Sequence, residues 1–317
     1  MPNGMAGEAG PPRRVLLTGA DGFVGRHLRA ALAAAYPDAA LLTDRIDLRD
    51  GAAVTAAVAD ARPDVCVHLA AIATLAAARA DEDQAWDVNL HGSLRLARAL
   101  LRHAPDCQML FVSSADAYGG GVGAAIGEDT PLAPQNPYAA TKAAADLALG
   151  AMAQQGLRVV RARPFNHTGP GQSADLVIPA FARQVARIAA GLQPPLMRVG
   201  NLDTWRDFLD VRDVCAAYVA CIDRRAALAP GQIINIGSGR ALRIGDMLAE
   251  LMALAGVAAE VRTDAARARA GDVARTVADP ARARALLGWA PAIPWSRTLA
   301  DVLDDWRARV GDEPADG

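Results

Sequence analysis

Three glycines spaced by three residues, Gly19, Gly22 and Gly25, stand between the apolar run Arg14–Thr18 and an amphipathic stretch over Gly22–Tyr36. A chain that leaves a strand, turns at once and enters a helix there is building a βα unit. Glycine permits the tight turn and lets backbone approach a ligand closely, while the helix start offers free N–H groups and a positive dipole end to an anion such as a pyrophosphate. The spacing is Gly-x-x-Gly-x-x-Gly, which differs from the Gly-x-Gly-x-x-Gly of the standard dinucleotide fingerprint, and an ordinary strand-to-helix turn would use glycine too. Phe23 and Val24, within the turn, join the glycines as candidate cofactor contacts. Asp44 lies nineteen residues past Gly25 at the end of the next expected strand, where a ribose-binding carboxylate belongs. Its neighbour Arg45 suits a 2′-phosphate instead, so the choice between NAD and NADP stays open.

The alternation begun at residue 14 continues. Strands are expected at Arg14–Thr18, Ala39–Thr43, Val65–Leu69, Gln108–Ser113 and Leu157–Ala162, with helices over Gly22–Tyr36, Asp50–Ala61, Gln84–His103 and Pro137–Gln155. Such a succession of βα units predicts an α/β fold with a doubly wound parallel sheet. After Arg163, loop signals (Pro164, Thr168 to Gln172, Pro194 and Pro195) break the regularity. Helices over Leu176–Gly191, Leu209–Ile222, Ile244–Ala255, Pro280–Leu287 and Trp295–Val310, with a strand at Gln232–Ile236, predict a smaller mixed α/β lobe at the substrate end. Residues 1–12 read as a disordered tail, 13–163 as the cofactor domain and 164–317 mainly as the substrate lobe, with about 209–240 returning to the first domain.

Composition narrows the function. With 33 basic and 35 acidic residues the net charge of −2 favours neither nucleic acid nor an anionic membrane surface. Apolar windows such as Ala30–Tyr36 are soon interrupted by charge, so no membrane span is expected. The basic pair Arg13 and Arg14 follows the Gly- and Pro-rich start, the wrong order for a secretory signal, and a soluble cytoplasmic protein is expected. Cys66, Cys107, Cys215 and Cys221 sit singly in apolar stretches, which predicts buried free thiols and no metal site.

Among the 33 basic residues only Lys142 is a lysine, and it stands four residues after Tyr138. With four tyrosines in 317 positions, chance would place the sole lysine there about once in eighty. Asn136 as N-cap and Pro137 in the first turn start the helix, so Tyr138 and Lys142 project from one face. A neighbouring ammonium stabilises tyrosinate and would pull the phenol below its usual value of about 10, ready to exchange a proton with a substrate oxygen. Arginine would bring charge with a different shape. Ser114, at the C-terminal end of the fourth expected strand, is placed to hydrogen-bond the reacting oxygen.

Together, Thr18-Gly-Ala-Asp-Gly-Phe-Val-Gly25, His68-Leu-Ala-Ala71, Ser113-Ser-Ala-Asp-Ala-Tyr-Gly119 and Tyr138-x-x-x-Lys142 resemble the extended short-chain dehydrogenase/reductase family, over nearly the whole chain after residue 13. Within it, Arg163-Pro-Phe-Asn-His-Thr-Gly-Pro-Gly-Gln172 and the segment Val199–Asp213 look like the GDP-4-keto-6-deoxymannose reductases, and less closely like their dehydratase relatives. The resemblance implies a Rossmann-type fold, NADPH or NADH as cofactor, and Ser114, Tyr138 and Lys142 as catalytic residues. It implies that Gly19, Gly22 and Gly25 form the pyrophosphate turn, that Asp47 and Leu48 lie near the adenine, and that Leu69, Ala70 and Ala71 line the cofactor channel. Asn166 and Arg206 would hold the sugar diphosphate, with Arg183 and Arg269 as further candidates at the nucleotide end; His167 shapes the same loop.

The implied reaction is reduction at C4 of a GDP-linked 6-deoxyhexose. Dehydratases of the family carry Glu where this chain has Asp116, a shorter acid and a candidate substrate contact, which disfavours dehydration. The rival readings are a redox-neutral epimerase or 4,6-dehydratase that keeps NAD bound, and a nucleotide-sensing scaffold without activity. Relatives pair the helices Gln84–His103 and Pro137–Gln155 with their copies, so a homodimer is expected.

Overall fold

The computed structural model describes residues 10–120, 125–264 and 273–311. Six parallel strands form its central sheet: β1 (Arg14–Thr18), β2 (Ala40–Leu42), β3 (Val65–His68), β4 (Gln108–Val112), β5 (Val159–Pro164) and a sixth, Gln232–Ile236. Their spatial order is β2-β1-β3-β4-β5-sixth. The chain steps outward from β1 to β2 and then crosses back to β3, so the direction of winding reverses between β1 and β3. That reversal opens a crevice above the C-terminal ends of these strands.

Both sheet faces are covered, which is why the strands read as nearly continuous apolar runs. Alternation sends Val15, Leu17, Val67, Leu110 and Val160 to one face, against the helices α1 (Phe23–Ala35) and Val211–Asp223. Leu16, Cys66, Met109, Phe111 and Val159 turn to the other, against α2 (Gly51–Ala61), Ser93–His103 and Pro137–Ala153. All four cysteines are free and buried in these layers. A second core joins the helices Val177–Ala189, Ile244–Ala255 and Trp295–Gly311 through Phe181, Val185, Leu248, Leu251, Leu303 and Trp306. Short strand pairs flank it, Leu196–Val199 with Glu260–Thr263 and Trp205–Arg206 between Leu242–Arg243 and Arg275–Thr276. Among the described residues no helix is long and apolar enough to cross a membrane.

Two expectations from periodicity are corrected. The helix expected from Leu209 begins only at Val211; Phe208–Asp210 is a strand pairing in parallel with Asn166–Thr168, and the Asp210 carboxylate caps the helix by accepting from the Arg212 amide at 2.8 Å. The expected helix Gln84–His103 is interrupted: Glu82–Trp86 passes into a wide π-type turn at Asp87–Gly92 before Ser93–His103 resumes. Polar side chains cause the break. Ser93 donates to the Asn89 carbonyl at 2.7 Å, and the Asn89 amide bonds both backbone groups of Ile72. Gly92 lies against Leu48, where a Cβ would come within 2.7 Å of the leucine Cβ.

One carboxylate ties the smaller lobe to the end of the sheet. Asp207 is fully buried and accepts from the Ser238 amide at 2.8 Å, the Ser238 hydroxyl at 2.6 Å, the Gly239 amide at 2.9 Å and the Ala278 amide at 3.1 Å. Asp207→Ala strands these donors and lowers stability by about 3 kcal/mol or more; urea unfolding checks this, and a midpoint within error of wild type would show that the donors find other acceptors.

Candidate active site

The glycine turn is built by close approach. Gly19 has φ +74°, and a Cβ there would lie 2.7 Å from the Ala70 nitrogen; a Cβ on Gly25 would lie 2.2 Å from the Gly19 oxygen. The Gly22 amide donates to the Gly19 carbonyl at 3.1 Å, and Gly22 caps α1 without a side chain. The first turn of α1 carries no acidic residue. Its amides, those of Phe23, Val24 and Gly25 among them, have no acceptor within the helix, and its dipole end is positive. A cradle that tolerates no side chain, beside a helix start of that polarity, fits a pyrophosphate. Leu69, Ala70 and Ala71 form the opposite bank beyond β3. Asp44 and Arg45 are exposed just past β2. Asp47 is exposed and taken up by Arg49, with bonds of 3.0 and 2.8 Å that hold its carboxyl down to about 2, while Leu48 is buried.

A buried polar chain links this turn to the next element, and sequence reasoning missed it. The Thr18 hydroxyl meets His68 Nδ1 at 2.7 Å, His68 Nε2 meets the Ser93 hydroxyl at 2.9 Å, and Ser93 donates to the Asn89 carbonyl. Since that hydroxyl proton is committed, Ser93 accepts from His68 Nε2–H, and Nδ1 accepts from Thr18; the proton positions are assigned from these partners. Thr18 in turn accepts from the Ala70 amide at 3.3 Å. Asn89 extends the chain by donating to the Thr141 hydroxyl at 2.9 Å, and Thr141 donates to the Tyr138 carbonyl at 2.8 Å. Burial first, and then the Lys142 charge, push His68 down to about 3, so it is neutral. The available signal was a histidine ending an otherwise apolar strand.

Asn136 starts the next helix by accepting from the Ala139 amide at 2.9 Å, with Pro137 in the first turn. Ser114 lies near enough to the Tyr138 phenol to pull it downward, and the Ser114 hydroxyl accepts from the Asp116 amide at 3.1 Å, so the three sit together beyond the end of β4. The expectation of a phenol lowered by Lys142 is corrected. Burial and then the Asp116 carboxylate push Tyr138 above its usual value, against a downward pull from Ser114. Lys142 donates to the Val112 carbonyl and stands 4.8 Å from the Phe111 ring centroid. Burial lowers its ammonium to about 8, with Asp146 opposing.

Asn166 and Arg206 line one cavity of about 300 Å³, together with Phe181, Arg198, Asn201 and Thr204. The Asn166 amide reaches the Asp207 carbonyl at 3.5 Å, and Arg206 donates to the carbonyls of Trp205 and Val273 at 2.9 and 2.7 Å. Arg183 does not line this cavity; it borders a neighbouring depression with Arg187 and Arg198, its guanidinium 6.0 Å from the Trp306 ring. Arg269 lies outside the described residues. His167 donates from Nδ1 to the Phe165 carbonyl at 2.9 Å and stacks on Phe23, centroids 6.3 Å apart, which joins the start of α1 to the short strand that carries Asn166.

Comparison with known proteins fits this geometry. Residues 15–237 match the NAD dependent epimerase/dehydratase family, and the chain belongs to that family, the extended short-chain dehydrogenase/reductase group its motifs resemble. It is an NAD(P)-dependent enzyme. More particularly, it is 39% identical over 306 residues to the GDP-6-deoxy-D-mannose reductase of Pseudomonas aeruginosa, covering 95% of this chain and 99% of the relative. The structure of RMD from Pseudomonas aeruginosa complexed with NADPH superposes with a TM-score of 0.85 at 36% identity, covering 93% of this chain and 99% of that one. The Thermus thermophilus UDP-glucose 4-epimerase, in complex with NAD, superposes with a TM-score of 0.81 at 29% identity, covering 93% and 99%.

The neutral His68 sets an acid limit on stability. Its folded value of about 3 lies below the ordinary 6.5, so between these values the unfolded chain binds a proton that the folded one refuses. Stability from this group is complete above pH 6.5 and is lost as pH falls, by about 1 kcal/mol between pH 6 and 5. Urea unfolding of His68→Asn should lack this increment, and a variant that tracks wild type through the window would contradict it.

Proposed function

We propose that this enzyme reduces the C4 keto group of GDP-4-keto-6-deoxy-D-mannose to GDP-D-rhamnose, or to the C4 epimer GDP-6-deoxy-D-talose, with NADPH or NADH. The observation that carries the reading is the proximity of Ser114 to the Tyr138 phenol beyond the end of β4, with Lys142 one helical turn along from Tyr138. The cavity shared by Asn166 and Arg206, and 39% identity to a reductase of this class, support the substrate.

Bound reduced nicotinamide supplies the hydride. The turn Gly19–Gly25 receives its pyrophosphate, Phe23 and Val24 pack beside it, and Asp44, Arg45, Asp47 and Leu48 border the adenosine end, with Leu69, Ala70 and Ala71 along the channel. Ser114 polarises the C4 carbonyl through its hydroxyl. Tyr138 gives its proton to the forming alkoxide; a phenol raised by burial and by Asp116 stays protonated at neutral pH, as a donor must. Lys142 holds the ribose and steadies the tyrosinate left after proton transfer. Asn166 and Arg206 bind the diphosphate, Arg206 through charge-assisted bonds. Asp116 bonds a sugar hydroxyl, and Arg183 and Arg269 serve the outer nucleotide end. Residues 13–163 with about 209–240 act as the cofactor unit and the rest of 164–317 as the substrate lobe. The protein works in the cytoplasm as a homodimer through the outer faces of Ser93–His103 and Pro137–Ala153, where Leu147 is 59% exposed.

Incubation of the purified enzyme with the keto sugar and NADPH or NADH tests the reading. Reductant absorbance should fall in step with formation of a GDP-6-deoxyhexose identified by NMR. Isomerised substrate without loss of reductant would make the enzyme a redox-neutral epimerase instead. Tyr138→Phe should lower kcat by about 10²–10⁴-fold and leave NADPH binding intact. Gly25→Ala, which drives a methyl into the Gly19 carbonyl, should weaken NADPH by about tenfold or more in a fluorescence titration; equal affinities would remove the turn from the cofactor site.

A further inference from the structure

Asp146 lies one turn beyond Lys142 on the same helix and is fully buried. Its Oδ1 accepts from Arg163 Nη2 at 2.7 Å and Arg161 Nη1 at 2.9 Å, and its Oδ2 accepts from Arg163 Nε at 2.9 Å. Arg163, also buried, donates to the Tyr118 hydroxyl at 2.9 Å and stacks over that ring; Tyr118 donates onward to Asn235 at 2.7 Å. Tyr118 ends the 3₁₀ turn Ala115–Tyr118 that directly follows Ser114. The two halves of the site, the Ser114 turn and the helix bearing Tyr138 and Lys142, are therefore bolted to one carboxylate through one guanidinium.

We infer that Asp146 is a positioning residue for the reaction: it fixes the catalytic helix against β5 and the Ser114 turn, and, one turn along from Lys142, it supplies the negative charge that offsets the ammonium there. The groups around Lys142 leave that task to Asp146. From β3, His68 is neutral; from β4 come the Val112 carbonyl and the Phe111 ring, neither of them charged; from β5, Arg161 and Arg163 are positive and paired with Asp146; on the helix itself, Tyr138 is protonated. Burial alone drives an ammonium toward its neutral form, and Asp146 is the influence opposing that for Lys142. The catalytic consequence rests on the role proposed for Lys142, whereas the charge coupling is a property of the fold.

Because Lys142 is the sole lysine, full-length protein grown with lysine labelled by ¹³C at Cε gives one ε-methylene signal, and its titration reads this ammonium directly. The wild-type midpoint should lie near 8. In Asp146→Asn it should fall by about one pH unit or more, and the alkaline limb of the kcat profile should move down with it. In Arg163→Gln, which leaves the carboxylate less neutralised, the midpoint should rise. An unmoved lysine signal in either folded variant would overturn the proposal, as would a loss of activity that is uniform across pH. Should Asp146→Asn fail to fold, Arg163→Gln and the restoring variant Asp146→Glu decide: a midpoint that stays put in the first, or departs from wild type in the second, refutes the coupling. Shifts of the predicted signs in a protein without reductase activity would uphold the coupling and set aside the function proposed above.

Discussion

The parallel pairing of β1 with β3 sets Thr18 opposite His68, and the arrangement of the cofactor turn follows from that register. The hydrogen bond between their side chains joins the last residue of one strand to the last residue of the other. It brings Ala70 so close to Gly19 that a methyl group would not fit between them. The turn is thus shaped from both sides, by the helix entering at Gly22 and by the chain leaving β3. A slip of the strands by one residue would send His68 to the opposite face and leave Thr18 without its partner.

Polar contacts of this kind also locate the catalytic helix. Several of its buried positions are alanine, Ala139, Ala143 and Ala145 among them. Small side chains make shallow ridges, and shallow ridges allow neighbouring positions along the helix axis at similar energy. Directional bonds remove that freedom. Asn89 holds Thr141 from one side, and Asp146 is held by Arg161 and Arg163 from the other. Buried networks of this sort are worth having only when fully satisfied, which is why they select one arrangement.

Within that frame, burial acts oppositely on the two groups four residues apart. It keeps the Tyr138 phenol protonated and weakens the Lys142 hold on its proton. The desolvation that keeps Tyr138 a donor also lowers the lysine beside it, and the Asp146 carboxylate opposes that lowering. The pairing of tyrosine and lysine on one helix face therefore does not by itself dictate the protonation of either.

Local patterns in the chain determined a good deal. The glycine turn, the apolar strands including Gln232–Ile236, the capped start at Asn136 and the shared face of Tyr138 and Lys142 all arise from backbone periodicity over a few residues, and all are present in the structure. What the tertiary structure decided involves partners distant in sequence. Sequence does not say that Asn89 would abandon regular helix geometry for Ile72, that Asp47 would be occupied by Arg49, or that Arg183 would border a depression apart from Asn166 and Arg206. Nor does it say that burial would outweigh Lys142 at the Tyr138 phenol. Periodicity records which way a side chain leaves its own backbone; whom it meets, and how dry the meeting place is, depends on elements packed together only after the whole chain has closed.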